Sequence, residues 1–159
     1  MKIFNMEKEH CFETNMAIPY LLFDKNLTTR VENLVKEKYL NSIISAGKII
    51  KIKNCQCEFV ISNATSLLHA KINLVCIVKC PYINQCVYAQ VCLVFARGIL
   101  VDYDEFKILI KHDSLAKNDF GAFVLNSKQI QCGNQIPIKI QNVIVINNTI
   151  KTIAKIISS

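Results

Sequence analysis

Tryptophan is absent from this chain. Glycine, proline and histidine are scarce: four, three and three among 159 residues. Four glycines leave almost nothing from which to build a phosphate-cradling loop, and neither the P-loop nor the dinucleotide-binding glycine pattern occurs. The histidines, His10, His69 and His112, stand far apart in sequence, and none pairs with another at metal-ligand spacing. No G-x-S-x-G elbow and no catalytic Cys/His signature is present. His112-Asp113-Ser114 holds the residue types of a triad, but neighbours in sequence do not supply triad geometry. The expectation is therefore no catalytic residue, no cofactor and no metal. Charge is scarce too, at 19% of residues, so much of the surface is uncharged, as in a subunit that buries a face against a partner. The apolar runs are strand-sized and interrupted by Lys, Arg, Asn or Gln, so no membrane crossing is expected. The stretch MKIFNMEKEHCFE alternates charges instead of leading into an apolar core, so it is not expected to act as a secretory leader.

What the chain does have is apolar residues, 52% of the total, ample for a packed core. Isoleucine (24) and asparagine (15) are abundant beside many lysines, a mix that follows AT-rich codons and reports on the genome before the function. The net charge of +7 is spread evenly, +4 over residues 1–80 and +3 over residues 81–159. Such a spread favours loose contact with a polyanion without locating a groove. Eight cysteines without an export signal are expected to be reduced thiols. Cys55-x-Cys57 and Cys76-x3-Cys80 lack the C-x2-C hooks of a zinc ribbon, so the cysteines read as small apolar fillers.

In chain order, residues 1–14 are polar and mixed in charge, and are expected to form a loose or partner-ordered arm. Met16 to Phe23 reads as a first strand, with Pro19 marking an edge. Thr29-Arg30-Val31-Glu32 fits a capping box, and Leu27, Val31, Leu34, Val35 and Tyr39 follow at helical spacing, predicting the one convincing helix. Strands are expected at 48–53, 57–61 and 72–78, which gives a β-α-βββ half. Ser62-Asn63-Ala64-Thr65-Ser66 is turn chemistry, yet it ends in Leu67-Leu68, two apolar residues with no obvious reason to sit in a turn. Pro81 marks the joint. Beyond it, apolar runs at 86–95, 99–101 and 106–110 are linked so tightly that only an antiparallel meander fits. Asp102, Asp104 and Glu105 read as a solvated hairpin turn rather than a cation site. Gly98 suits a bend where the sheet coils into a small barrel. A polar connector (111–119), a strand (122–125), a turn (131–134) and a long strand (136–146) able to close that barrel follow. Residues 150–157 read as a last strand or a short helix.

The stretch ARGILVDYDEFKILIKHDSL resembles the middle of an S1-type OB domain. Gly98, Val101, His112 and Ser114 sit where that pattern has them, and Leu100 stands where the family usually carries an aromatic for stacking on a base. The helix phrase LTTRVENLVKEKYLNSIISAGKIIKI, the passage INLVCIVKCPYINQCVYAQVCLVF and the order of the two halves resemble the stalk subunits of multisubunit RNA polymerases. These include the seventh-largest subunit of eukaryotic RNA polymerase II, and the resemblance is stronger to the 18 kDa subunits of poxvirus DNA-dependent RNA polymerases.

That resemblance implies an α+β chain: a β-α-βββ tip domain over residues 1–80, then an OB/S1-like barrel over residues 81–159. It implies a non-catalytic subunit of a viral polymerase, working in the host cytoplasm and carried in the virion. The first half would dock on the large polymerase subunits at the clamp, and the second would lie beside exiting RNA, with no second stalk subunit. The residues implied for partner docking are Asn63, Ala64, Thr65, Ser66, Leu67 and Leu68. Those expected at nascent RNA are Arg97, Lys107, Lys111 and His112, in weak electrostatic contact, because Leu100 cannot stack on a base. The alternative is a free OB-fold protein that binds single-stranded nucleic acid; it should carry aromatics on the barrel face and a groove of bases.

Overall fold

The computed structural model of the chain describes residues 6–18, 24–61 and 67–158. Strands take up 63% of these residues and there is one α-helix, so the chain is mostly β. It divides into two compact units, Glu7–Cys80 and a second made of the chain from Pro81 onward together with Met6.

The first unit runs β1 (Glu7–Ile18), α1 (Leu27–Tyr39), β2 (Ile43–Ile44), β3 (Gly47–Ile61) and β4 (Leu68–Lys79). Its sheet has the order β1-β4-β3-β2, antiparallel throughout. Residues 7–14 are thus not an arm but most of a twelve-residue edge strand, in unbroken register with β4 from Glu7–Lys79 to Ile18–Leu68. The charges at 7–9 mask the pattern. From Phe12 onward, Phe12, Met16 and Ile18 fall on one face and pack against the core, while Glu9 and Glu13 on the other face reach Lys53 (2.6 Å) and Lys71 (3.3 Å). An edge strand with one charged face is well suited to resisting unwanted pairing.

Helix α1 starts two residues before the expected capping box. Asn26 occupies the N-cap without a side-chain bond, and Asp24 accepts the Asn26 N–H at 2.8 Å. The apolar stripe behaves as its spacing predicts: Val31 and Val35 are fully buried against Ile18, Ala70, Ile72 and Leu74. Asn41 ends the helix at φ 65°, a left-handed conformation that asparagine tolerates. Tyr39, in the last turn, bonds Thr14 through its hydroxyl (2.8 Å) and meets Phe12 edge-on, tying the helix to β1.

The two strands expected at 48–53 and 57–61 are one. Along GKIIKIKNCQCEFVI the core-facing residues are Ile49, Ile52, Cys55, Cys57 and Phe59. Their spacing of three, three, two and two breaks strict alternation. Register shifts against β4 between Ile49 and Lys51, and again between Ile52 and Asn54, absorb the two extra residues. A bulge inserts one residue and bends the strand without ending it.

The second unit contains β5 (Cys86–Phe95), β6 (Gly98–Tyr103), β7 (Phe106–Lys111), β8 (Ala116–Lys117), β9 (Phe123–Leu125), β10 (Lys128–Gln129), β11 (Gln135–Ile146) and β12 (Thr149–Ile156). Five strands close into a barrel in the order β11-β12-β7-β6-β5, with β11 pairing back to β5. Only β12 against β7 is parallel among these pairs. The meander and the closing long strand are thus present, and residues 149–156 are a strand rather than a helix. Bulges appear again where the apolar spacing slips. Val87, Ala89, Val91 and Val94 face in on β5, and Ile136, Ile138, Ile140 and Val143 on β11, each with one step of three at a register shift. Inside lie Ile99, Val101, Ile108, Ile110, Ile138 and Ile140, all fully buried. The connector is a 3-10 turn at His112–Ser114 followed by the small sheet β10-β9-β8, which contributes Phe123 to the core.

Candidate functional site

The sequence directs attention to two places, the β3–β4 end of the first unit and the β6–β7 hairpin of the second. At the first, Asn63, Ala64, Thr65 and Ser66 lie outside the described residues. The two leucines after them separate. Leu67 is 41% exposed, whereas Leu68 opens β4 opposite Ile61 and packs against the core under the helix. Sequence reasoning placed a strand at 57–61 but did not single out the exposed residues at its end. Val60 and Ile61 are 50% and 69% exposed, pointing to opposite faces as strand neighbours must. The signal was the run Phe59-Val60-Ile61, three consecutive apolar residues at the strand's end. Val60, Ile61 and Leu67 are thus three exposed apolar side chains at this end, spread over both faces of the hairpin.

At the hairpin, Arg97 lies in the turn between β5 and β6, and its carbonyl accepts the His112 N–H at 2.9 Å. The His112 Nδ1 lies 3.3 Å from the same oxygen, and Lys111 sits opposite Gly98 in register. Arg97, Lys111 and His112 are thus brought to one end of the hairpin, where all three are exposed. Lys107 belongs to the other end. Its ammonium is 2.6 Å from the Asp102 carboxylate, whose hydrogen bond raises the lysine's pKa. A lysine already neutralised in this way is a poor phosphate ligand. Leu100, on the outer face, registers with Leu93 on one side and Leu109 on the other, an apolar row rather than an aromatic platform.

A surface groove of about 560 Å³ runs past Leu125, Asn126, Lys128, Gln129 and Gln135. Lys128 is its one ionisable side chain, so it offers no acid–base pair.

The cysteines are free. Cys55 and Cys57 sit two apart on one face of β3 with their sulfurs 3.8 Å apart. Burial, then the neighbouring Cys57, pushes the Cys55 thiol up to about 12, and burial also raises Cys76, Cys80 and Cys92. Thiols held protonated are poor nucleophiles and poor metal ligands. No cluster of three or more His, Cys, Asp or Glu side chains able to hold a metal occurs among the described residues. Alkylation of the native protein near about pH 8 should therefore mark Cys11, Cys86 and Cys132, which are exposed, well before Cys55 or Cys76. Metal analysis should find no stoichiometric zinc. Fast labelling of Cys55, or one equivalent of tightly held zinc, would contradict this assignment.

No protein-family model matches the chain, and no curated protein matches it in sequence.

Proposed function

We propose that this chain is a non-catalytic, stalk-like subunit of a viral multisubunit DNA-dependent RNA polymerase. Its first unit docks on the large subunits through the β3–β4 end, and its barrel lies beside exiting RNA. The observation that carries the reading is the exposed apolar end made by Val60, Ile61 and Leu67. Exposed apolar side chains on both faces of a hairpin end are what a wedge inserted into a pocket offers to its walls. Two further features support it. The barrel, taken in chain order from β5, pairs first to second to third, third to fifth in parallel, fifth to fourth and fourth to first. That is the connectivity of five-stranded OB barrels. The order of the units, a helix-backed sheet before Pro81 and the barrel after it, is the order the resemblance requires. A wedge that fits only one clamp position biases the clamp toward it, so a subunit without chemistry of its own can still set polymerase activity.

The test is assembly. Ile61→Asp with Leu67→Asp puts charge where a pocket would have to bury it unpaired, while both positions are exposed in the free chain. Leu68 is spared because it belongs to the core. Tagged wild-type chain expressed in cells making the viral polymerase should co-purify with the large subunits. The double variant should fold, with an unchanged thermal melt, and fail to co-purify. Normal incorporation of the double variant would defeat docking through this end, and absence of the large subunits from the wild-type preparation would defeat the polymerase reading itself.

A further inference from the structure

On the outside of the barrel, the pairing registers bring three lysines into one line across three strands. Lys139 on β11 is directly opposite Lys155 on β12. Lys155 and Lys111 each follow the last paired residues of β12 and β7, Ala154 and Ile110, so they are side by side as well. Adjacent strands are about 4.8 Å apart, so the row spans about 10 Å. Side chains inward of it, Ile138, Ile140, Ala154 and Ile110, are buried, which fixes the lysines outward. Among the described residues none of the three has an ion-pair partner, unlike Lys53, Lys71 and Lys107. Like charges directly opposite on neighbouring strands oppose pairing, and nothing within the barrel offsets them.

One step along β11 from Lys139, Pro137 is opposite Tyr88 of β5, and Tyr88 is 60% exposed. An aromatic ring open to solvent thus flanks the end of an unpaired lysine row. We infer that Lys111, Lys155 and Lys139 form a track for the phosphates of a single-stranded nucleic acid, with one base stacked on Tyr88. An acidic peptide would satisfy the lysines but would need an aromatic side chain at the right spacing to reach the ring as well; every nucleotide of a nucleic-acid strand supplies a phosphate and a stacking base together. The track adds the β12 and β11 face to the β6–β7 hairpin and shares only Lys111 with the residues the sequence singled out. It rests on the proposed placement of the barrel beside RNA, but its test needs only the isolated chain, whereas the polymerase reading is tested by co-purification.

The experiment is fluorescence anisotropy of the purified full chain with labelled oligo(U) and oligo(dT), titrated between about 50 and 200 mM salt. Three phosphate contacts to a single strand give a slope of about −2 in log affinity against log salt, or roughly 20-fold weakening across that range. Lys111→Gln with Lys139→Gln and Lys155→Gln should remove that slope, whereas Lys128→Gln, elsewhere on the same unit, should leave it. Tyr88→Ala should weaken binding about 5- to 150-fold with the slope kept, since stacking releases no counterions. Thermal melts of each variant exclude unfolding as the cause. A triple variant with the wild-type slope overturns the track. Binding of poly-glutamate, but not of either oligonucleotide, lost in the triple variant overturns it in favour of an acidic protein partner. Tight, salt-insensitive, sequence-selective binding overturns it in favour of base readout.

Discussion

Replacing Gly98 with alanine is expected to destabilise the barrel unit by about 3 kcal/mol or more and to lower its melting temperature by more than about 10 °C. Gly98 opens β6 at φ 153°, opposite Lys111. A Cβ there would be driven into the Ile110 carbonyl oxygen, with the Ile110 carbonyl carbon at 3.1 Å and the Lys111 Cα at 3.3 Å behind it. These are backbone atoms of the adjacent strand, so no side-chain rotation relieves the overlap; β6 and β7 must separate at their first pair. Backbone strain of this kind belongs with the few mechanisms that cost on the order of 3 kcal/mol or more. A unit of about 80 residues has a total stability of only roughly 4–12 kcal/mol, so about a quarter to three-quarters of its margin would go. Amide exchange should show protection lost across β5, β6 and β7. Gly121 and Gly133 provide the contrast, since a Cβ at either meets nothing within 4 Å. Both have positive φ, 79° and 90°, so alanine there should cost only the local backbone preference, about 1–2 kcal/mol. Gly98→Ala melting within a degree or two of wild type would show that the hairpin can shift without losing its pairing.

Gly98 is also where the sequence was most legible. A glycine between two apolar runs, followed by an acidic turn and a third run, left few arrangements other than a coiling meander, and β5, β6 and β7 fall within a residue or two of the expected bounds. Other parts were obscured for identifiable reasons. The pattern on β1 is carried by Phe12, Met16 and Ile18, and three charges at its start made the stretch resemble an arm. β3 looked like two strands because its bulges break the two-residue period, and periodicity cannot separate a bulge from a strand end. Strand β2 is two residues, Ile43–Ile44, too short to leave any period. The candidate surfaces follow the same division. Leu67-Leu68 stood out because the five residues before them are turn chemistry. The lysine row did not, because Lys155 meets Lys139 only through the β11–β12 register and Lys111 joins them only through a parallel β7–β12 pairing that no local pattern encodes.

The helix separates what local spacing can and cannot predict, and mutating it makes the difference measurable. The apolar stripe and the capping box were both read from the same residues, but only the stripe operates. Val35 is fully buried between α1 and the sheet, beside Ala70, Ile72 and Leu74. Val35→Asp would place a carboxylate there, among the fully buried apolar side chains of Val31, Ala70, Ile72 and Leu74. Its charge would be unpaired or its proton retained at neutral pH, and either route costs several kcal/mol, on the order of 3–5. The first unit should lose its cooperative melt, and amide protection in β1, β3 and β4 should collapse. Thr29 makes the opposite case. The helix begins at Leu27 with Asn26 at its cap, so Thr29 is already inside the first turn and exposed. Thr29→Ala removes no cap and trades a poor helix former for the best, so stability should hold or rise by a few tenths of a kcal/mol. Had the capping box formed, the same change would cost about 1 kcal/mol. Thermal melts of the two single variants, measured side by side, therefore test whether tertiary burial or local capping holds this helix. A Thr29→Ala variant destabilised by about 1 kcal/mol, beside a mild Val35→Asp, would reverse that ranking.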